Sequence, residues 1–513
     1  MKNIFYILIL FAVTAQAQVH KMPADTEFFY TYGGVNFDEA RDIKETPDKG
    51  YILAGTTSSF GQGNTSFYLI KTDSLGNHKW SSVQGGSQND WAYTVQTTHD
   101  SGIFVAGFSN SFDPTGNNIF NAYYLKTDKN GHLLWQKTVP ANDYSFIYGS
   151  YPMPDSGFIL CGKTYANSHG NADGYLIRIN KNGDTLWTRN YGGIQDEIFN
   201  SVCVINHSIY AVGSNSSHPT DTASDGWIVK LDINGNQVQD IFISFGTHQQ
   251  EVLNVITPYD NTNFFIGGAN YINNNGVDTN ATNGILSKMD TSLVPFNLQN
   301  INSGTKNSEF AINKIINISH GNICTIGTRN GGLGGLGMFL NEFDLYGNYI
   351  PYYFIAGGIS DEHGYSGIYT SSGKVISIGS TLSYGAGAED AFLVRFNSDS
   401  IYNSAINTFV QNSFTDTLYL AVASIKNFNN DFAVKLFPNP SNGNIQLQIN
   451  GSLQKSYTAK VYTILGSEIY SYKVQSNNNN ALNFSSLDNG SYFLKIEDAD
   501  TKTVSILKFI INK

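Results

Sequence analysis

A short phrase recurs along this chain and limits what it can fold into. Tyr191-Gly192-Gly193 followed by Asp196-Glu197 matches Tyr32-Gly33-Gly34 followed by Asp38-Glu39. Worn copies are Gly85-Gly86 with Asp90, Phe245-Gly246 with Glu251, Ser303-Gly304 with Glu309, and Gly357-Gly358 with Asp361. Val139-Pro140 with Asp143 is the most eroded. Counted at the first or only glycine, or at Pro140, the copies stand at 33, 85, 140, 192, 246, 304 and 357, in steps of 52, 55, 52, 54, 58 and 53 residues. Seven copies at this period mean a repeat architecture, either a solenoid or a propeller.

Each repeat holds four short strand-like pieces. In the first copy these are 40–45, 51–56, 67–72 and 79–84, with turns at Pro47-Asp48-Lys49-Gly50 and Asp73-Ser74-Leu75-Gly76-Asn77. Four strands per repeat of this length is the pattern of a propeller blade, and a β-helix coil would be shorter. The last repeat shows no fourth strand after 397, but Glu27-Phe28-Phe29-Tyr30-Thr31-Tyr32-Gly33 matches the fourth-strand copy ending at Tyr191-Gly192. The N-terminal piece is therefore expected to complete the last blade and close the ring, which leaves no splayed sheet edge. The expected fold is all-β, a seven-bladed β-propeller of four-stranded blades over 18–397.

Composition agrees with a turn-rich β protein. The chain has 50 glycines, is 14% charged and carries a net charge of −11 with no basic stripe. Nucleic acid is thus a poor partner. Cys161, Cys203 and Cys324 lack metal-type spacing and sit in apolar runs, so buried thiols are expected, although a Cys161–Cys203 bridge is compatible with neighbouring blades. Residues 1–17 read as a secretory signal: Lys2, an apolar core over 4–13, and Ala15-Gln16-Ala17 before a cut between Ala17 and Gln18. That core is too short to span a bilayer.

In a four-stranded meander the connections between blades and between the second and third strands share a face. The long loops there are 109–121, 165–173, 215–225, 271–283, 330–337 and 383–390, with Asn121, Tyr165, Asn215, Tyr271 and Tyr384 among their polar and aromatic residues. Irregular loops on a rigid frame are where recognition resides. This face is expected to meet polar ligands such as glycans. The repeated acids Asp38, Asp90, Asp143, Asp196, Glu251, Glu309 and Asp361 are a poor catalytic set, because acid–base work needs one unequal pair. They are expected to accept bonds from backbone N–H groups of their own loops. Trp80, Trp135 and Trp187 occupy equivalent positions, which favours packing between blades over sugar stacking. His363 lies beside Asp361 and Glu362, and no histidine cluster, nucleophile elbow or phosphate loop is present. The expectation is that the chain is not an enzyme and uses no cofactor or metal.

After a polar linker over 398–431 the pattern changes. Phe437-Pro438-Asn439-Pro440 and Gly443 open a new segment, followed by Gly466, Asn489-Gly490 with Tyr492, and a last strand carrying Lys508. In that order these motifs resemble the type A C-terminal sorting domain of type IX secretion cargo. The resemblance covers 432–513 and implies a small immunoglobulin-like β-sandwich read by an outer-membrane translocon. In such cargo a surface sortase-like protease usually cleaves the tail. The repeats likewise resemble the Tyr-Gly-Gly propellers found ahead of such tails, a likeness that carries no active site. Together these features describe a protein secreted by, or attached to the outer surface of, a Gram-negative bacterium. The role expected is non-enzymatic binding or adhesion, to polysaccharide or to a surface protein. The alternatives are a carbohydrate-active hydrolase or lyase on the same ring and a structural cell-surface component. An unequal acid pair, or a His–Tyr–Arg constellation in the central mouth, would favour the enzyme.

Overall fold

The computed structural model describes residues 26–217, 223–246, 249–274, 277–301, 309–330, 335–396, 433–439, 441–450, 455–463, 468–476, 479–498 and 504–513. The expected signal with its Ala17–Gln18 cut, the linker over 398–431, and the motif residues Pro440 and Gly466 lie outside the described residues. The chain divides into two units, 1–409 and 410–513.

In the first unit the described residues form seven four-stranded antiparallel sheets. Sheet 1 contains Asp38–Glu45, Tyr51–Thr57, Ser66–Thr72 and His78–Gln84, side by side in chain order. Sheets 2 to 6 repeat this order over 90–139, 145–191, 197–243, 250–301 and 310–356. Sheet 7 holds Glu362–Tyr369, Val375–Thr381 and Asp390–Phe396, and its fourth strand is the N-terminal segment Thr26–Tyr32. That segment runs antiparallel to Asp390–Phe396, with Tyr32 opposite Ala391 and Phe29 opposite Val394. Repeated four-stranded meanders of this kind are those of a β-propeller.

Local sequence explains the layers of each sheet. The second strands Tyr51–Thr57, Ile103–Ser109 and Val375–Thr381 are buried at every residue, so both faces are covered and the sequence runs apolar without alternation. The fourth strands are edges, and His78–Gln84 accordingly is half-exposed and polar.

The Gly-Gly phrase is a packing device. In four sheets the second glycine donates its N–H to an acid that opens the first strand: Gly34 to Asp38 at 2.7 Å, Gly86 to Asp90 at 2.8 Å, Gly193 to Glu197 at 2.7 Å and Gly358 to Glu362 at 2.7 Å. The first glycine lies against that carboxylate. A Cβ on Gly85, where φ is +140°, would meet Asp90 Oδ2 at 2.2 Å. A serine in the loop after the second strand completes the knot, as Ser59 Oγ donates to Asp38 Oδ2 at 2.6 Å and accepts from Asn36 N at 3.0 Å.

The turn before each fourth strand joins neighbouring sheets. Gly131, Gly183 and Gly235 have φ near +80°, and a Cβ there would lie 2.6, 2.7 and 2.9 Å from the rings of Trp80, Trp135 and Trp187 in the preceding sheet. The tryptophans thus cover the turns of the next sheet. Cys161, Cys203 and Cys324 are buried and unbridged, and the environment of both Cys161 and Cys203 is apolar, which pushes their thiols up in pKa by desolvation.

The second unit has two antiparallel sheets. One holds Ala433–Phe437, Asn444–Asn450 and Asn479–Asn483; the other orders Glu468–Gln475, Ser456–Thr463, Gly490–Asp498 and Val504–Ile511. Ile445, Leu447 and Ile449 from the first share one core with Ala459, Leu494, Ile496 and Phe509 from the second. The motif residues converge near the chain end. Asn439 Oδ1 accepts from Ile510 N at 2.9 Å, Asn489 Oδ1 accepts from Lys513 N at 2.9 Å, and Tyr492 stacks on Phe509. Gly443, at φ +114°, leaves no room for a Cβ against Ser485, and Lys508 pairs in register with Phe493.

Candidate functional site

Every first strand carries a β-bulge, one extra residue set against its partner strand. The bulged residues are Arg41, Tyr93, Tyr148, Asn200, Asn254, Asn313 and Tyr365. All seven line one polar cavity of about 130 Å³. A bulge re-aims a side chain out of the sheet, which is why bulges gather near functional sites.

The seven positions are not alike. Three consecutive ones are asparagines committed to the frame. Asn200 Nδ2 donates to Leu253 O at 3.0 Å, Asn254 Nδ2 to Ile312 O at 3.2 Å, and Asn313 Nδ2 to Gly364 O at 2.8 Å. Each amide caps the residue before the bulge in the next sheet. The other four, in sheets 7, 1, 2 and 3, are Tyr365, Arg41, Tyr93 and Tyr148. The Arg41 guanidinium lies 4.0 Å from the Tyr365 ring centre and 5.1 Å from that of Tyr93, and Tyr93 meets Tyr148 edge-on at 5.1 Å. Arg41 Nη2 also pairs with Glu39 at 2.7 Å, and Glu39 is buried.

Two residues earlier on the same strands stand Glu39, Trp91, Phe146 and His363. Phe146 stacks on Tyr148 and Tyr144, Trp91 stacks on Phe108, and His363 stacks on Tyr365. Lys163 Nζ lies 5.6 Å from the Phe146 ring. Aromatic rings and charged groups are thus interleaved at the site, with Arg41 between the rings of Tyr365 and Tyr93.

Burial sets the protonation of this cluster. It pushes the Glu39 carboxyl above its usual range, and Arg41 beside it only partly opposes this. Burial also disfavours charge on Arg41, but Glu39, Tyr365 and Tyr93 outweigh it and hold the guanidinium charged. The two partners therefore respond unequally to one contact, because Tyr365 and Tyr93 also favour the charged guanidinium whereas Glu389 disfavours the charged carboxylate. Deeper in the cavity, burial would raise Asp42, yet Lys44, Lys314 and a ring of donors lower it to about 2. Burial raises Tyr365 to about 12 against the pull of Arg41. Glu309 is raised by burial and by Asp361, with His363 opposing. Among the described residues no group of three or more His, Cys, Asp or Glu is placed to hold a metal ion.

The expected loop residues divide. Asn121 is buried, its Oδ1 accepting from Ala141 N at 2.8 Å and its Nδ2 donating to Ile119 O at 3.0 Å. Asn215 is buried and accepts from Ser217 N at 2.8 Å. Tyr384 donates to Gly357 O at 3.2 Å and stacks on Phe392. Asn121 opens a strand and Asn215 closes one, whereas Tyr384 lies in the loop between Val375–Thr381 and Asp390–Phe396. Tyr165 is half-buried beside Tyr144, and Tyr271 is exposed.

The repeat acids need a correction of register. Asp38, Asp90 and Glu251 are buried where a first strand opens. Asp196 and Asp361 stand one residue before that place, which Glu197 and Glu362 fill. Asp196 is exposed, and its carboxylate accepts from Ala172 N at 3.3 Å. Asp361 accepts from Leu336 N at 2.8 Å. In sheet 6 Phe310 opens the strand and Glu309 precedes it; in sheet 3 Ser145 opens it, after Asp143. Where the acid is missing in sheet 3, Pro140 replaces the glycine that would have packed on it.

The bulge positions escaped the sequence reading, although a signal was present. They fall eight residues after the first glycine or Pro140 in every copy but the sixth, where the step is nine. The buried acid falls five after it in the five copies at 33, 85, 192, 246 and 357.

The fold and this site define an all-β propeller protein with a polar, aromatic-walled centre. Among solved structures it is similar to an α-L-arabinanase of Penicillium chrysogenum complexed with arabinobiose, at 13% identity, covering 58% of this chain and 91% of that one with a TM-score of 0.40. It is also similar to the β-propeller domain of the Trilobed protease of Pyrococcus furiosus, at 9% identity, 72% and 99% coverage, and a TM-score of 0.41. A third is a gluconolactonase of Xanthomonas campestris, at 9% identity, 71% and 97% coverage, and a TM-score of 0.33. These likenesses concern the fold and carry no site over. Enzymes do stand among them, so the lack of a catalytic motif does not mark this chain as a non-enzyme, and that expectation is corrected. The physical reason is that groups converging here come from different sheets, some 50 residues apart, and form no local motif. No curated protein shows a significant match to the chain.

Residues 435–512 match the secretion system C-terminal sorting domain. The chain is thus type IX secretion cargo, secreted or on the cell surface, and its tail engages that machinery.

Proposed function

We propose that the seven sheets are the blades of one ring closed by Thr26–Tyr32, and that the centre of this ring captures a polysaccharide at the cell surface. The domains are a signal over 1–17, the propeller over 18–397, a linker over 398–431 and an immunoglobulin-like sorting sandwich over 432–513, whose tail a surface sortase-like protease removes. Closure is supported by the shared cavity, to which every first strand contributes. It is also supported by a repeated contact. Tyr191 donates to Gly235 O of the next sheet at 2.6 Å, and Tyr32 donates to Gly76 O of sheet 1 at the same distance.

The break in the repeat at the bulge carries the functional reading. A purely structural ring would keep the asparagine that caps the next sheet. Four neighbouring sheets have given it up for Tyr365, Arg41, Tyr93 and Tyr148, beside Trp91 and Phe146. Aromatic walls with a few convergent polar groups suit a small polar ligand such as a sugar. A glycan array with the full chain, reading bound ligand and released product, tests this. Binding that is lost in Tyr148→Ala and kept in Tyr384→Phe is expected; a blank array overturns it in favour of a protein partner.

A second reading, a carbohydrate-active hydrolase or lyase, is favoured by one observation. Glu39, with its raised pKa, stands with Arg41, Tyr365 and His363 as the unequal set that acid–base work requires. Product release that stops in Glu39→Gln would support it, and binding with no product would remove it.

A further inference from the structure

We propose that the centre of the ring is a carboxylate-binding site in which Lys314 supplies the counter-charge. This rests on the ring just described and names the ligand chemistry its centre takes.

Five charged side chains meet there: Glu39, Arg41, Asp42, Lys44 and Lys314. Two ion pairs account for four of them, Arg41 with Glu39 at 2.7 Å and Lys44 with Asp42 at 2.9 Å. Lys314 is left over. Among the described residues its one ion-pair contact is Asp42 Oδ1, at 3.9 Å. Asp42 has little left to give. Its Oδ1 accepts from Ile43 N and Ser366 Oγ, both at 2.9 Å, and its Oδ2 accepts from Lys44 Nζ at 2.9 Å, Val95 N at 3.1 Å and Thr94 Oγ at 3.4 Å. A carboxylate offers about four lone-pair sites, and these are used.

Around Lys314 itself, Lys44 and Lys314 are thus two cations to the one anion Asp42, in a place where burial penalises charge. Desolvation lowers the Lys314 pKa, Lys44 lowers it further, and Asp42 only partly restores it. An ammonium in that state gains from an anion of its own more than an exposed lysine does, because its Coulomb attraction is less screened. The side chain is 28% exposed and its residue lines the cavity, so the charge is reachable. The cavity volume is about 130 Å³. That is room for a carboxylate group together with ordered water. Ser150 and Ser366 line the same space.

The carboxylate could belong to a uronic acid in an acidic polysaccharide or to a small free acid. The full chain, labelled with 13C at its lysine side chains, is titrated with galacturonate oligosaccharides, neutral galactose oligosaccharides and sodium acetate, by NMR and calorimetry. We expect an acid to shift the Lys314 resonance and Lys314→Met to weaken its binding about tenfold or more, about 1.4 kcal/mol. A response to galacturonate assigns a glycan acid; a response to acetate alone assigns a free acid and leaves the carboxylate site standing. No shift of Lys314 with either acid, or unchanged affinity in a folded Lys314→Met, overturns the proposal. Should that variant fail to fold, the wild-type resonance decides. Equal binding of neutral and acidic sugars defeats this proposal while leaving polysaccharide capture intact. An acetate response without any sugar binding does the reverse.

Discussion

The guanidinium of Arg41 and the ring of Tyr365 lie 4.0 Å apart, and they occupy the same position of two neighbouring sheets. In three of the other sheets that position is an asparagine bonded to the adjacent backbone. The pair shows how a repeat is kept as scaffold on one side and modified on the other.

Arg41 is the only cation paired with Glu39 among the described residues. Arg41→Met should leave a buried carboxylate without its partner and cost about 3 kcal/mol. Glu39→Gln in the same chain should recover much of that loss. Denaturant unfolding of the two single variants and the double variant checks this, and additive losses would contradict it.

Glu197, not Asp196, ties the Gly-Gly loop of sheet 4. It accepts from Gly193 N at 2.7 Å and Ser217 N at 3.1 Å. Glu197→Ala should cost about 1 kcal/mol by leaving the half-buried Gly193 N unpaired, while Ser217 N keeps its bond to Asn215 Oδ1. Asp196→Ala, at an exposed residue, should stay within about 0.5 kcal/mol. Thermal melts that rank the two variants the other way would refute the corrected register.

Asp390 should impose a pH dependence on stability. Burial raises it from 3.8 to about 7, helped by Asp38 and Glu389, against bonds from Ala386 N and Gly387 N. A raised carboxyl binds its proton more tightly in the folded chain. Its contribution is therefore complete below pH 3.8 and is lost as pH rises to about 7. Asp38 and Asp90 are raised in the same direction, so Asp390→Asn should flatten this fall without abolishing it. Urea midpoints from pH 4 to pH 8 measure it, and an unchanged slope in the variant would exclude Asp390 as a cause.

The N-terminal strand should hold the ring together. Removing residues 26–32 strips sheet 7 of the strand paired to Asp390–Phe396 and deletes the bond from Tyr32 to Gly76. A fall of several degrees in Tm is expected, with a smaller one in Tyr32→Phe, where about 1 kcal/mol is lost. An unaffected Tm in the deletion would sink the closure.

The tail should decide export and leave the first unit's fold alone. Deleting residues 433–513 is expected to strand the protein in the periplasm. Fractionation with an antibody to the first unit reads this directly, and protein in the medium or on the surface would contradict it.

The period of the glycines and the alternation within each repeat were enough to assign four-stranded sheets. Both are local properties, set by backbone sterics and by side-chain burial over a few residues. The match of Glu27–Gly33 to fourth-strand copies likewise foretold that Thr26–Tyr32 would pair with Asp390–Phe396. The sorting motifs were legible for the same reason, since Asn439, Gly443 and Tyr492 each act within one small sandwich. What stayed hidden was position relative to distant sheets. Nothing in the phrase Asp196-Glu197 says which carboxylate turns inward; that depends on the strand starting at Glu197. Asn121 reads as a loop residue in the sequence but opens a strand, and Tyr384, in its loop, is bonded to the backbone of Gly357. The meeting of Arg41 with Tyr365, over 300 residues away, and the unmatched charge of Lys314 exist only because folding brings seven strands to one cavity. A sequence records which side chains a bulge will turn out of a sheet, but only the tertiary structure sets which of them face one another, and electrostatics at that range is a property of the meeting.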